Sequence, residues 1–229
     1  MDELRFAALV PMKGHSERVA NKNLRDFHGK PLFWHVMHRL EQCPFVLGIY
    51  VDTDSLEIAD AVKSFFPKAF IIERPEELRG DFVSMNEIIR HDIANILSDF
   101  FLQTHATNPL IKSGTILRAC REYEAGIGTY DSLFSVNRLQ ARLYDKNGRP
   151  MNHDPSCLIR TQDLEPLFEE NSNLYLFSRK SFGKTKARIG EKPRLFEMDP
   201  MEAVDIDEES DFAFAKALAG MHWKGDKNK

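Results

Sequence analysis

The sequence predicts an α/β domain on a mostly parallel sheet with helices on both faces, and three observations carry that reading. Apolar runs of strand length alternate with segments of helical period through the first half of the chain. After Asp131 the texture turns β-rich, and the pair Asn147-Gly148 gives the strongest short-range hairpin signal. At 229 residues the chain can bury a full core, so a single domain over 1–229 is expected rather than two.

The elements follow in order. Residues 6–12 form a strand, 32–43 a helix, 46–51 a strand and 56–66 a helix, the repeating unit of a parallel sheet. A short strand at 69–72, a helix at 84–97, a strand at 100–103 and a helix at 113–124 continue it. SLFSV is the next strand, and ARLYDKNGRPMNH opens a β-rich insertion, 139–177, that runs to the strand NLYLF. Residues 196–206 return in extended form, 210–218 close as a helix, and the GDKNK tail is expected to fray.

Composition narrows the function classes. A net charge of −4 and a pI near 6.1, with basic residues spread among carboxylates, exclude a general nucleic-acid footprint and favour a small soluble ligand. Three widely spaced cysteines, Cys43, Cys120 and Cys157, argue against a disulfide framework or a zinc cluster. Neither a leader nor a bilayer-spanning apolar run is found, so a cytoplasmic protein with no membrane partner is expected.

Ligands of open α/β sheets bind beyond the carboxyl ends of the strands, and GHSERVANKN stands at that address after the first strand. Gly14 allows close backbone approach, Ser16 offers a hydroxyl, and Lys13, Arg18 and Lys22 supply the charge to compensate a polyphosphate. The loop is neither a GxxxxGK[ST] nor a GxGxxG motif; the plainer alternative is an exposed basic loop with Asn21 and Asn23 bonding its turns. Near the C-terminus, VDID in extended form puts Asp205 and Asp207 on one side and Ile206 in the core. Two hard oxygens beside a triphosphate suit magnesium, Mg2+, although Asp207 could instead cap the helix that follows. Asp52 and Asp54 form a rival pair, but Asp54 with Glu57 three residues on looks like a capping box. His35 and His38, one turn apart, are expected to pack or stand in solvent rather than ligate, and Phe65, Phe66, Phe100 and Phe101 to be core aromatics.

These residues carry a resemblance. VPMKGHSERVANKNLRDFHGKPL resembles the N-terminal signature of the acylneuraminate cytidylyltransferases, approximately ARxxSKxxxxKN followed by GKPL. VDTDSLEIADA is similar to the family's STD segment, RPEELRGDFVS to RPxxLAxDxxS, FLQTHATNPLI to LLQPTSPLR, NSNLYLF to NGxxYx, and VDIDEESDFAFA to DIDxxxDxxxA. Weak motifs in the right order are together far more specific than any one of them.

The resemblance implies a Rossmann-like, glycosyltransferase-A-like fold and attack of a sugar hydroxyl on the α-phosphate of CTP, with pyrophosphate released. It implies that Lys13, Ser16 and Lys22 hold the triphosphate, that Asn23 lies nearer the nucleoside, and that Arg74 and Ser84 help read the cytosine. Asp205 and Asp207 would hold Mg2+ between phosphate and attacking oxygen. Arg160, Gln162 and Tyr175 fall at acceptor positions, as does His105, which reads equally as a sugar contact or as a satisfied polar residue at the strand end; the acceptor would be an acidic 2-keto-3-deoxy sugar of nine carbons. A homodimer is also implied, with 139–177 reaching toward the partner's site.

Several positions depart from the family. Lys13 stands for Arg, His105 aligns with Gln, Ile111 replaces Arg with Lys112 next to it, and Thr161 replaces an Arg with Arg160 adjacent. Lys does not reproduce the bidentate geometry of a guanidinium on a carboxylate. The acceptor is therefore expected to be a relative of N-acetylneuraminate, such as a legionaminic or pseudaminic acid. QTHATNP lacks the Asp of the QGDEP segment of the KDO synthetases, which makes KDO a weaker candidate. The rivals are a glycosyltransferase of similar fold, for which Asp52-Thr53-Asp54 would be the metal motif, and a nucleotide- or sugar-binding homologue without activity.

Overall fold

The computed structural model describes residues 4–225. In chain order the elements are β1 (Phe6–Leu9), β2 (Asp26–Phe27), β3 (Lys30–Pro31), α1 (Leu32–Glu41), β4 (Val46–Thr53), α2 (Leu56–Phe65), β5 (Phe70–Glu73), α3 (Met85–Ala94) and β6 (Phe100–Gln103). They continue with α4 (Ser113–Ala125), β7 (Ser132–Leu139), β8 (Leu167–Ser178), α5 (Arg179–Thr185), β9 (Pro193–Glu197) and α6 (Glu209–Gly225). One seven-stranded sheet has the order β5-β4-β1-β6-β8-β7-β9, in which β8 alone runs against its neighbours.

Alternation along β1 builds the two layers. Phe6, Ala8 and Val10 face a core with the apolar residues of α1, α2 and α4, while Ala7 and Leu9 face a second core with α3 and Phe182 of α5. The Phe6 ring meets Phe45, Phe100 and Tyr123 with centroids 6.4, 6.1 and 5.8 Å away. Burying such a ring stabilises the fold by about 2–3 kcal/mol. A third cluster packs Phe212, Ala215, Leu218 and Ala219 of α6 on Val19, Phe27, Leu32 and Ile206. That contact brings the C-terminal segment back to the loop after β1.

The structure departs from the sequence reading at identifiable places. The two-residue hairpin β2–β3 turns at His28 and Gly29, with φ of 51° and 84°, a left-handed pair that sequence signals place on Asn-Gly rather than His-Gly. Helix α5 is an addition, started by a capping box between Ser178 and Ser181. Extended pairing in 196–206 stops at Glu197, and a turn at Asp199 follows, its carbonyl accepting from Glu202 and Ala203. Within 139–177, SLFSV and NLYLF belong to the main sheet as β7 and β8, and between them lie a bridge from Tyr144 to Pro150 and the predicted turn at Gly148. The Asp145 carboxylate tightens that turn by accepting from the N–H groups of Asn147 and Arg149. Phe65 is half exposed rather than core, His35 is buried, and His38 stacks on Trp34. The GDKNK tail beyond Gly225 lies outside the described residues.

Candidate active site

A cleft of about 540 Å³ opens beyond the carboxyl ends of β1, β5 and β6. It brings together Lys13, Ser16, Lys22, Asn23, Arg74, His105, Asp205 and Asp207, residues drawn from opposite ends of the chain.

The loop after β1 is tied down at both flanks. Asn23 Nδ2 donates to the Lys13 carbonyl at 3.1 Å, and the Gly14 N–H donates to Asp54 Oδ1 at 2.6 Å. A Cβ on Gly14 would stand 2.7 Å from the Ser55 Cβ, so its small size serves the approach to the start of α2. Ser55, not Asp54, caps that helix, its side chain accepting from the Ile58 N–H, because Asp54 is engaged by Gly14. The loop's cations are ion-paired across the cleft: Lys13 with Asp81, Arg18 with Asp207 at 2.9 Å, and Lys22 with Asp207 at 3.6 Å and with the Ile206 carbonyl at 2.6 Å.

Asp205 and Asp207 flank Ile206, which is fully buried under α6. The Ile206 N–H donates to the Thr107 carbonyl at 3.0 Å, which anchors the segment to the end of β6. Asp205 Oδ1 is buried with no hydrogen-bond partner among the described residues. Burial pushes its carboxyl up, opposed by a hydrogen bond from Thr107 and reinforced by the Asp207 charge. An orphaned carboxylate oxygen next to a second carboxylate fits a hard divalent cation. Asp207 does not cap α6: its N–H and that of Glu208 donate to Asp211 Oδ2.

Arg74 lies on the far wall, buried, with Nε donating to Asp52. Asp92 stands beside Asp52, and burial together with the Asp52 charge pushes its carboxyl up to about 9. With His91 these carboxylates form a compact cluster, but Arg74 already neutralises Asp52, so it positions the arginine rather than a metal.

The model of the family described as Cytidylyltransferase matches residues 7–227. The chain belongs to the cytidylyltransferase family. This cytidylyltransferase-family chain is 29% identical over 219 residues to N-acylneuraminate cytidylyltransferase A of Danio rerio, covering 92% of this chain and 50% of that protein. It is 25% identical over 232 residues to the CMP-N,N'-diacetyllegionaminic acid synthase of Legionella pneumophila, covering 94% and 96%. The chain thus spans about half the length of the former and nearly all of the latter. Its fold is similar to that of a CMP:2-keto-3-deoxy-manno-octonic acid synthetase complexed with CTP, with a TM-score of 0.71 at 16% identity over 95% of this chain and 99% of that one.

Four expected site residues of this cytidylyltransferase-family chain do not line the cleft. Ser84 is the N-cap of α3, its side chain accepting from the Asn86 N–H. Arg160 makes a bidentate, exposed pair with Asp163, at 2.6 and 3.1 Å, and neighbours Gln162 in a short 3-10 turn. Tyr175 is buried in β8, its hydroxyl on Glu170 and Ser172. Ser172 itself does reach the cleft, on a bulge where β7 and β8 shift register, in a left-handed conformation with φ 58°.

Two residues escaped the sequence reading. Gln103 ends β6, fully buried, with Nε2 3.1 Å from His105 Nε2 and Oε1 accepting from Arg188 at 2.5 Å. The strand-end rule that flagged the loop after β1 points equally to Gln103. Arg188, in an irregular segment after α5, carries no local sequence signal; only the fold brings it to β6. Burial and the nearby Arg188 charge hold His105 down at about 4, so its ring is neutral at neutral pH.

Proposed function

We propose that the chain transfers CMP from CTP to an acidic 2-keto-3-deoxy sugar of the nine-carbon class, releasing pyrophosphate, with Mg2+ as cofactor. The observation that carries this reading is the confrontation, in one cleft, of the cationic loop after β1 with Asp205 and Asp207. The CTP in the similar synthetase structure and the acids named in the relatives support the choice of nucleotide and acceptor.

In this reading Lys13, Arg18 and Lys22, with the Ser16 hydroxyl, take the triphosphate oxygens in place of their present carboxylate partners. Charge neutralisation and alignment are the main demands of phosphoryl transfer, and a half-buried site strengthens both. Asp205 and Asp207 would hold magnesium, which would supply Lewis-acid charge to the transfer. Arg74, fixed by Asp52, faces the cytosine. The acceptor hydroxyl oxygen bonds to the α-phosphorus as the bond to pyrophosphate breaks, and the neutral His105 lies on the acceptor side.

We further propose a homodimer. Arg160 and Gln162 are outside their own chain's cleft, so a role at the acceptor requires the cleft of a second copy. The exposed apolar residues Met151, Leu158 and Ile159 of the same segment suit such a contact.

The test is pyrophosphate release from CTP with magnesium across a panel of nonulosonic acids. Turnover with at least one acid is expected, and Asp205→Asn or Asp207→Asn should lower it by roughly 100-fold or more with the thermal midpoint retained. Near-normal turnover of both variants removes these carboxylates from the site. CTP binding without turnover on any acid favours a binding homologue.

A further inference from the structure

Lys13, Arg18, Lys22 and Arg74 each have a carboxylate in ion-pair contact, whereas Arg188 has none at that distance among the described residues and feels only the charge of Glu170, which accepts from the Tyr175 hydroxyl. Its guanidinium lies 3.9 Å from the centroid of the Tyr175 ring, and one N–H goes to Gln103. The backbone N–H is held by Asn86 Oδ1 at 3.2 Å. The Tyr175 hydroxyl donates to Glu170 and lies 3.2 Å from Ser172 Oγ, and Gln103 donates to His105, so Arg188, itself just behind the cleft lining, is held by two side chains that touch lining residues. Burial works against the charge of this group. A half-buried cation that shares the Glu170 carboxylate with a tyrosine hydroxyl is only partly neutralised, and an anionic ligand would complete its neutralisation. Stacking on an aromatic ring and a hydrogen bond to a fixed amide also pre-set the planar fork for bidentate contact with a carboxylate. Arg160 stands outside the cleft, paired with Asp163.

We propose that Arg188 binds the carboxylate of the acceptor and thereby selects a sugar acid over a neutral acceptor, an inference that rests on the cytidylyl-transfer reading. Gln103 and Tyr175 act as its positioning residues.

The test compares the sugar acid that the wild type turns over with its methyl ester, using wild type, Arg188→Lys and Arg188→Met. Arg188→Met should raise the acceptor KM by about 100-fold and Arg188→Lys by about 10-fold, with the KM for CTP within about twofold. The preference for acid over ester should collapse in Arg188→Met. A purely structural role would lower the thermal midpoint and shift both KM values while leaving that preference intact, and this result overturns the proposal. Failure of the cytidylyl reading shows separately, as a wild type that releases no pyrophosphate with any acid. In that event direct titration of the free sugar acids decides for Arg188: weaker binding by Arg188→Met supports it, and equal binding by both proteins rejects it.

Discussion

His35 shows how burial sets the behaviour of a single side chain. Its Nε2 bonds the Phe27 carbonyl at 2.7 Å, and desolvation lowers its pKa from 6.5 to about 4. The unfolded chain takes up the proton near pH 6.5 and the folded one only near 4, so between these values the unfolded state binds more protons. Stability is therefore full above about 6.5 and falls as the pH drops toward 4, by at most about 1.4 kcal/mol per unit for this group. His105 acts with the same sign. His35→Gln should flatten the fall of the thermal midpoint between neutral and acid pH, and an unchanged slope would show that other groups set it. At the same scale, residues in extended alternation were legible: Asp205 and Asp207 came from a period of two, and Ile206 faces the core as that period requires. Arg188 was not, because its environment is made by β6 and β8 and by nothing adjacent in sequence.

Elements place the site through their ends. The start of α3 borders the cleft through Met85 and Ile88, and the start of α2 packs on Gly14 of the loop after β1; each helix is capped by a serine, Ser84 and Ser55. Replacing a capping serine with alanine costs about 1 kcal/mol. Ser84→Ala should accordingly lower the thermal midpoint while leaving the KM for CTP within about twofold; a large rise in that KM with little loss of stability would assign the hydroxyl to substrate instead. Helices α1, α2 and α4 and strand β6 match their sequence-derived ranges within a few residues because their periodicity coincides with burial. The strand expected at 196–206 ends early, since the Asp199 turn diverts the chain from the edge strand β9 toward Thr107. No helix among the described residues is long and apolar enough to cross a membrane.

On the scale of the whole molecule, the cleft exists because α6 packs on Phe27, Leu32 and Val19 and carries the segment before it against the loop after β1. Residues Lys22 and Asp207, 185 positions apart in number, meet at 3.6 Å as a result. The proposed homodimer predicts complementation. Arg160→Ala and Asp205→Asn should each be poorly active alone, and mixing them under subunit exchange should restore a share of the turnover if Arg160 serves the opposite cleft. A monomer in sedimentation, or a mixture no more active than its components, would refute that arrangement.

By itself the sequence determined the α/β class, the order of most elements, the basic loop and the acidic pair, because each rests on local period or strand-end position. Only the tertiary structure decided that Ser84 caps a helix, that Arg160 and Gln162 stand away from their own cleft, and that Arg188 meets Gln103 beside His105. The physical reason is range: periodicity reports which face of an element is apolar, whereas a binding site is made where polar ends of several elements converge, and that convergence is fixed by packing between segments far apart in the chain.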